Sequence, residues 1–276
     1  MTTLKMNLNT TINKIINKIE KFESKKIQLS AKYISETHFS GGKLFLFGTG
    51  HNHCLAEEGL HRAGGYANAC PILDDNINFA KGIKKASKAE RTAGISKSLL
   101  NKYKIQENDT LIIFTNSGVN KAPIEAATLA KKIGAKVIVI LSLSYCNSIK
   151  EKKNKIFNIA DISIDNHGPI GDTLVSISKN IKVASPSIIT GSYILNSIIL
   201  NLAKLLKKEK PFPFYISSNQ KGANKHNALL EKKYSSRNKL LCPSKINWFI
   251  YTLPVLQLLL QLNLPHHPLQ ESLLES

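Results

Sequence analysis

At 276 residues the chain is long enough for one large α/β domain with an ample core, with or without appendages. Its formal charge of +19 comes almost wholly from lysine, with arginine only at Arg62, Arg91 and Arg237, so the bidentate forks that usually grip nucleic-acid phosphates are scarce and nucleic acid is not the expected partner. Cys54, Cys70, Cys146 and Cys242 show no CxxC spacing, which excludes a zinc-ribbon or disulfide scaffold and fits a reducing, cytoplasmic setting.

The N-terminus lacks the apolar core of a secretory signal. Residues 8–38 instead read as one or two amphipathic helices, with Ile12, Ile15, Ile19 and Phe22 on one stripe, closed by Gly41 and Gly42. A strand at Leu44–Phe47 leads into a helix from about Asn52 to Arg62, ended by Gly64 and Gly65. A short strand follows at Ala69–Leu73, then a loop over 74–88 and a helix over Ala89–Lys104. Strand Leu111–Thr115, helix Pro123–Ile133 and strand Lys136–Leu141 form a βαβ unit, with Gly134 at the expected helix C-cap. Beyond a lysine-rich connection come a strand at Asp161–Asp165 and a turn at His167–Thr173. Ser185 and Pro186 then open a long apolar helix reaching about Leu206. Such alternation predicts a parallel sheet covered on both faces.

The chain changes character near Ser235. No Asp, Glu, Lys or Arg occurs from Ile246 to Gln270, yet Pro254, Gln257, Gln261 and Asn263 interrupt the run before it reaches membrane-span length. A membrane is therefore not the expected partner. The organisation expected is a helical segment over 1–40, a ligand-binding domain over 41–234 and a leucine-rich tail over 235–276 that can lie outside the fold.

Two glycine-bearing turns follow apolar strand runs: Gly48, Thr49, Gly50, His51, Asn52 and His53 after the first, and Asn116, Ser117, Gly118 and Asn120 after the second. In a parallel sheet, such turns present free backbone N–H groups and a helix dipole to an anion, usually phosphate. Their small hydroxyls and amides approach a phosphate closely, although each is also an ordinary turn or cap residue. The first loop lacks the third glycine of GxGxxG, which sets a dinucleotide-binding dehydrogenase aside.

GTGHNH, AEEGLHRAGG, TNSGVNKAPIE, DNHGPIGD and HNALLEKKY, in this order, resemble the sugar isomerase (SIS) domain, and more narrowly a bacterial family of small SIS-domain proteins with little assigned function. The resemblance covers about residues 8–234. It implies a three-layer αβα sandwich around a five-stranded parallel sheet, a homodimer, and binding of a phosphorylated sugar. It further implies that Thr49 and Ser117 are phosphate ligands, supported by Asn116, Gly118 and Asn120. Two departures stand out: Asn52 replaces a serine, and His167 stands where glycine is usual, which raises the expectation of a different backbone there.

For aldose–ketose isomerisation a base must move a proton between C1 and C2, and another group must open the ring. Glu57 or Glu58 can be the base; His51, His53 or His226 can serve ring opening. A Glu58–Arg62 surface pair is the blander reading of that helix. Asp172 can bind sugar hydroxyls or cap its turn, and Ser185, Ser187 and Thr190 sit at the mouth of the long helix. No cofactor is expected; the alternative is zinc on His53, Glu57 and His61, whose spacing of four puts them on one helical face. Metal-dependent heptose-phosphate isomerases of the SIS type carry a Gln/Glu and His pair in the last helix that this chain lacks. The rivals to an isomerase are a phosphosugar lyase or etherase, and a non-catalytic phosphosugar sensor.

Overall fold

The computed structural model describes residues 8–150, 153–179, 181–238 and 240–241. Strands β1 (Leu44–Gly48), β2 (Ala69–Pro71), β3 (Thr110–Phe114), β4 (Lys136–Leu141) and β5 (Ile162–Asp165) pair in parallel in the order β2–β1–β3–β4–β5. Because successive strand side chains point to opposite faces, two cores form. Leu44, Leu46, Ile112, Phe114, Ile138, Ile140, Ile162 and Ile164 pack on one face beneath α1 (Leu8–Phe39) and α7 (Ser187–Leu205). Phe45, Phe47, Leu111, Ile113, Val137 and Val139 pack on the other, beneath α4 (Ile95–Tyr103) and α5 (Lys121–Ile133). Every residue of β1 and β3 is buried, which explains why these strands read as unbroken apolar runs. The three-layer sandwich expected from the sequence is the fold.

The first helix follows the i, i+4 row Ile15, Ile19, Glu23, Ile27 and Ala31, all buried. Phe22, expected on that stripe, is 57% exposed, while Glu23 is 4% exposed. An i+4 step from Ile19 lands on 23, and the carboxylate there accepts hydrogen bonds from Lys26 Nζ (2.8 Å) and the Asp165 amide (3.3 Å). Polar partners at the end of β5 thus offset the desolvation of Glu23.

Helix α7 is, among the described residues, long and apolar enough to cross a membrane by length and composition. Its apolar side, with Ile194, Leu195, Ile198 and Leu202, is buried in the core it shares with α1. The membrane candidate at Ile246–Gln270, Cys242 and most of the 235–276 tail lie outside the described residues.

Three element boundaries differ from the sequence expectation. Residues 83–88 are not loop: α3 runs Ile83–Arg91 and buries only Ala86, a face too narrow to show in the pattern. The single helix expected over Ala89–Lys104 is broken at Gly94, whose backbone is left-handed (φ 94°). The helix expected over Asn52–Arg62 is a 3₁₀ turn at Gly50–Asn52 followed by α2 (His53–Glu58). It stops because the backbone at 64–67 turns to bond the 213–215 segment, through Gly64 N to Tyr215 O (2.8 Å) and Ala67 N to Pro213 O (2.9 Å). An antiparallel hairpin, β6 (Val175–Ser176) with β7 (Lys182–Val183), and α6 (Leu143–Ser148) were not expected either.

At the amino ends of the strands, His38 shares a hydrogen bond with Tyr66 Oη (2.8 Å) and lies 3.6 Å from Glu209. Burial holds its pKa below the ordinary value, partly opposed by Glu209. The folded chain then binds fewer protons at His38 than the unfolded chain does, so this contribution is present above about pH 6.5 and is lost as pH falls toward the folded pKa. Thermal melts taken from about pH 7.5 down to 5 should show a fall in midpoint that His38→Gln makes shallower. An unchanged slope in the variant would assign the acid sensitivity elsewhere.

Candidate functional site

In a sheet of order 2-1-3-4-5 the connections after β1 and β3 leave toward opposite faces, opening a crevice at the carboxyl ends of those two strands. Both glycine-bearing turns sit there. After β1, Gly48 is required by close approach: a Cβ would meet the Asn52 carbonyl oxygen at 2.2 Å. After β3, Gly118 takes φ 65°, and its missing side chain admits Leu141 and Cys146. The α5 helix begins at Asn120, which is extended and makes no side-chain cap, so the first-turn N–H groups have no competing oxygen from their own cap.

Between the turns lies a cavity of about 550 Å³. His51 and Asn52 line it from the first loop, and Thr115, Asn116, Ser117 and Asn120 from the second. Glu90 of α3, Tyr145 of α6, Gly171–Thr173, Ser185 and Ile188 complete the wall. None of these lining residues is Lys or Arg. A larger cavity of about 760 Å³ opens at the amino ends of the strands near His38 and Arg237. Its Lys43 donates to Asn68 Oδ1 and the Tyr234 carbonyl, and its Arg237 is held by Asp109. The smaller cavity is therefore the candidate, since it joins the two loops and a helix N-terminus.

Asn116 and Asp172 define its polarity. Asn116 is 6% exposed; its Oδ1 accepts from Asn166 Nδ2 at 2.9 Å, whereas its own buried Nδ2 has no partner among the described residues. Asp172 Oδ2 accepts from both Ser185 Oγ and Ser187 Oγ at 2.6 Å, and its buried Oδ1 has no partner among the described residues. One orphan donor and one orphan acceptor thus belong to residues lining the same cavity, and each costs free energy until a ligand meets it. Asp172 also holds φ 57°, a strained conformation for a residue with a side chain.

The turn ahead of Asp172 is braced. His167 takes φ 52°, the left-handed conformation that glycine favours. Asp165 Oδ1 accepts from the His167 amide (2.9 Å), and the imidazole lies 3.4 Å from Asp165 Oδ2 and 3.7 Å from Glu23 Oε1. Glu125, in the second loop's motif, caps α4 by accepting from Gly94 N and Ser96 N.

Other expected site residues lie apart from the cavity lining. Thr49 is 1% exposed and its hydroxyl donates to Glu90 Oε1 at 2.9 Å, so it holds a carboxylate rather than facing an anion. Glu57 is engaged with His53 Nδ1 (3.0 Å) with its side chain half exposed, and Glu58 contacts Arg62. His226 bonds the Phe214 carbonyl (3.0 Å). The zinc alternative fails on geometry: with α2 ended at Glu58, His61 turns away to Glu231 (2.9 Å) and stacks near Tyr215. Among the described residues no group of three or more His, Cys, Asp or Glu side chains is placed to hold a metal ion.

Sequence reasoning missed Glu90, Tyr145 and Asn166. Glu90 carried a signal, being the lone carboxylate between Asp75 and Glu107 in a lysine-rich stretch. Tyr145 carried none.

The SIS domain family model matches residues 9–142. The UPF0309 protein of Brucella anthropi is 38% identical over 210 residues, covering 76% of this chain and 87% of that protein. The chain belongs to the UPF0309 family of SIS-domain proteins. The UPF0309 protein of Brucella canis is 36% identical over 214 residues, covering 77% of this chain and 88% of its own. Among solved structures, the sugar isomerase domain of an RpiR transcription factor from Sphaerobacter thermophilus matches with TM-score 0.47 at 11% identity, over 83% of this chain and 96% of that one. Phosphoheptose isomerase GmhA from Neisseria gonorrhoeae matches with TM-score 0.45 at 12% identity, over 71% and 94%. In this UPF0309 chain the match to the SIS domain ends at Ser142, so Asp172 and the α7 approach lie outside it.

Proposed function

We propose that this UPF0309 protein binds a phosphorylated sugar at the β1/β3 crevice and interconverts its aldose and ketose forms. The observation that carries the reading is the pair of orphan atoms, Asn116 Nδ2 and Asp172 Oδ1. A phosphate ester supplies acceptor oxygens for the amide, for Ser117 and for the free N–H groups of α5, and sugar hydroxyls supply donors for the carboxylate. Lysine is not needed, because a helix N-terminus and neutral donors suffice to hold a phosphate.

Proton transfer falls to Glu90 in this reading, since it is a carboxylate lining the cavity whereas Glu57, Glu58, His53 and His226 stand outside its wall. Glu90 takes the C2 proton of the open-chain aldose, and that C–H electron pair forms the C1–C2 double bond of an enediol as O1 gains a proton. The proton on Glu90 then returns to C1, O2 loses its proton and C2 becomes the carbonyl. The Thr49 hydroxyl fixes one oxygen of Glu90. His51, whose Nε2 lies 3.4 Å from Ser187 Oγ and 3.8 Å from Asp172, is placed to move the oxygen-bound protons. The same reading takes the protein as a cytoplasmic homodimer, as the family resemblance implies.

A thermal-shift panel of hexose, amino-sugar, heptose and N-acetylmuramic acid phosphates tests it. A ligand at a hundredfold its Kd stabilises by about 2.7 kcal/mol, raising the midpoint by about 5 °C or more. Ser117→Ala removes one hydrogen bond to a charged group and should weaken that ligand by about 10- to 100-fold. No shift across the panel, or a shift indifferent to Ser117→Ala, would overturn the phosphate assignment. Binding without turnover would favour the sensor.

A further inference from the structure

The cavity wall carries two carboxylates, Glu90 and Asp172, and no lysine or arginine; the imidazole on the wall, His51, lies 3.8 Å from Asp172. We infer that the sugar moiety held there bears a free amino group on a carbon other than C2, whose hydroxyl the isomerisation uses, so that the ligand is an amino-sugar phosphate, its ammonium facing Asp172 or Glu90; this rests on the phosphosugar reading above.

The charge pattern favours it. A phosphate dianion at the head of α5 already brings negative charge into the crevice, and only partial charges of the helix and neutral donors receive it. Two further carboxylates in the same cavity repel anionic groups and attract a cation. Asp172 Oδ2 is saturated by Ser185 and Ser187, which leaves the buried Oδ1 as an acceptor with nothing to accept from. Glu90 likewise spends Oε1 on Thr49 and keeps its second oxygen. A hydroxyl satisfies either acceptor, but an ammonium also supplies the missing charge, and charge-assisted hydrogen bonds are about twice as strong as neutral ones. The same wall works against a sugar carrying its own carboxylate. N-Acetylmuramic acid phosphate, the substrate class of an etherase, would set its lactyl carboxylate among like charges.

Isothermal titration of the full chain separates the possibilities. The probes are 3-amino-3-deoxyglucose 6-phosphate, its N-acetyl derivative, glucose 6-phosphate, N-acetylmuramic acid 6-phosphate and inorganic phosphate. The expected order places the free amine at least tenfold tighter than the hydroxyl or the amide, with the muramic acid ester weakest. Asp172→Asn and Glu90→Gln, tested separately with melting midpoints as folding controls, should each narrow the amine-over-hydroxyl ratio. If the phosphate esters bind but the amine has no advantage, the amino-sugar assignment fails and the phosphate crevice stands. If neither the esters nor inorganic phosphate binds, both fail together. Loss of folding in either variant leaves the wild-type ratio as the deciding measurement.

Discussion

Glu90→Gln is expected to lower the turnover of an isomerisable hexose phosphate by about 10²- to 10⁴-fold, the usual contribution of a positioned general base. The substitution is isosteric and keeps a side-chain oxygen for the Thr49 hydroxyl, so loop geometry and phosphate binding should survive. In kinetic terms kcat and kcat/KM fall together, the mark of a group acting in the transition state. Solvent-deuterium exchange into the substrate's C2 position would vanish along with turnover. Retained exchange would place the base elsewhere, and His53–Glu57 on α2 would become the group to test next.

The second large effect concerns stability and lies at the other end of the sheet. Asp109 is 1% exposed, and its carboxylate accepts from four donors: Lys43 N (2.8 Å), Gln106 N (2.7 Å), Arg237 Nη1 (2.6 Å) and Arg237 Nη2 (2.9 Å). Asp109→Ala removes all four at once and strands a mostly buried guanidinium and two amides. Breaking such a pair from one side costs about 3–5 kcal/mol, because the surviving charge keeps its desolvation penalty. The melting midpoint should drop on the order of 10 °C. A loss below about 1 kcal/mol in a urea titration would show that Arg237 swings out to water instead.

These two outcomes bear on different links of the same chain of causes. Asp109 joins the turn before β3 to the segment after α8 (Ala223–Tyr234), and so holds the frame. Glu90 and Asp172 line the crevice that this frame positions. An Asp109 variant that still folds should therefore bind phosphosugars normally, and a Glu90 variant should melt normally.

The sheet was legible in the sequence because its strands are buried on both faces and read as continuous apolar runs ended by glycine. Leu44–Gly48, Thr110–Phe114 and Lys136–Leu141 needed no long-range information. Both glycine-bearing loops were legible for a similar reason: Gly48 is forced by the Asn52 carbonyl and Gly118 by a positive φ, local constraints that leave a local mark. Tertiary structure alone decided which polar groups line the cavity. Thr49 reads as a phosphate ligand, yet packing turns it toward Glu90, a residue on a helix whose narrow buried face hid it. Glu57 and His61 share a helical spacing, but the 64–67 segment pairs with 213–215 and ends α2 before that spacing acts. Glu23 replaces Phe22 in the core because its carboxylate finds partners at the end of β5, over 140 residues away in sequence. Periodicity and turn chemistry depend on neighbours a few residues apart, and sequence carries them; a side chain's partner across the crevice exists only once distant segments have packed.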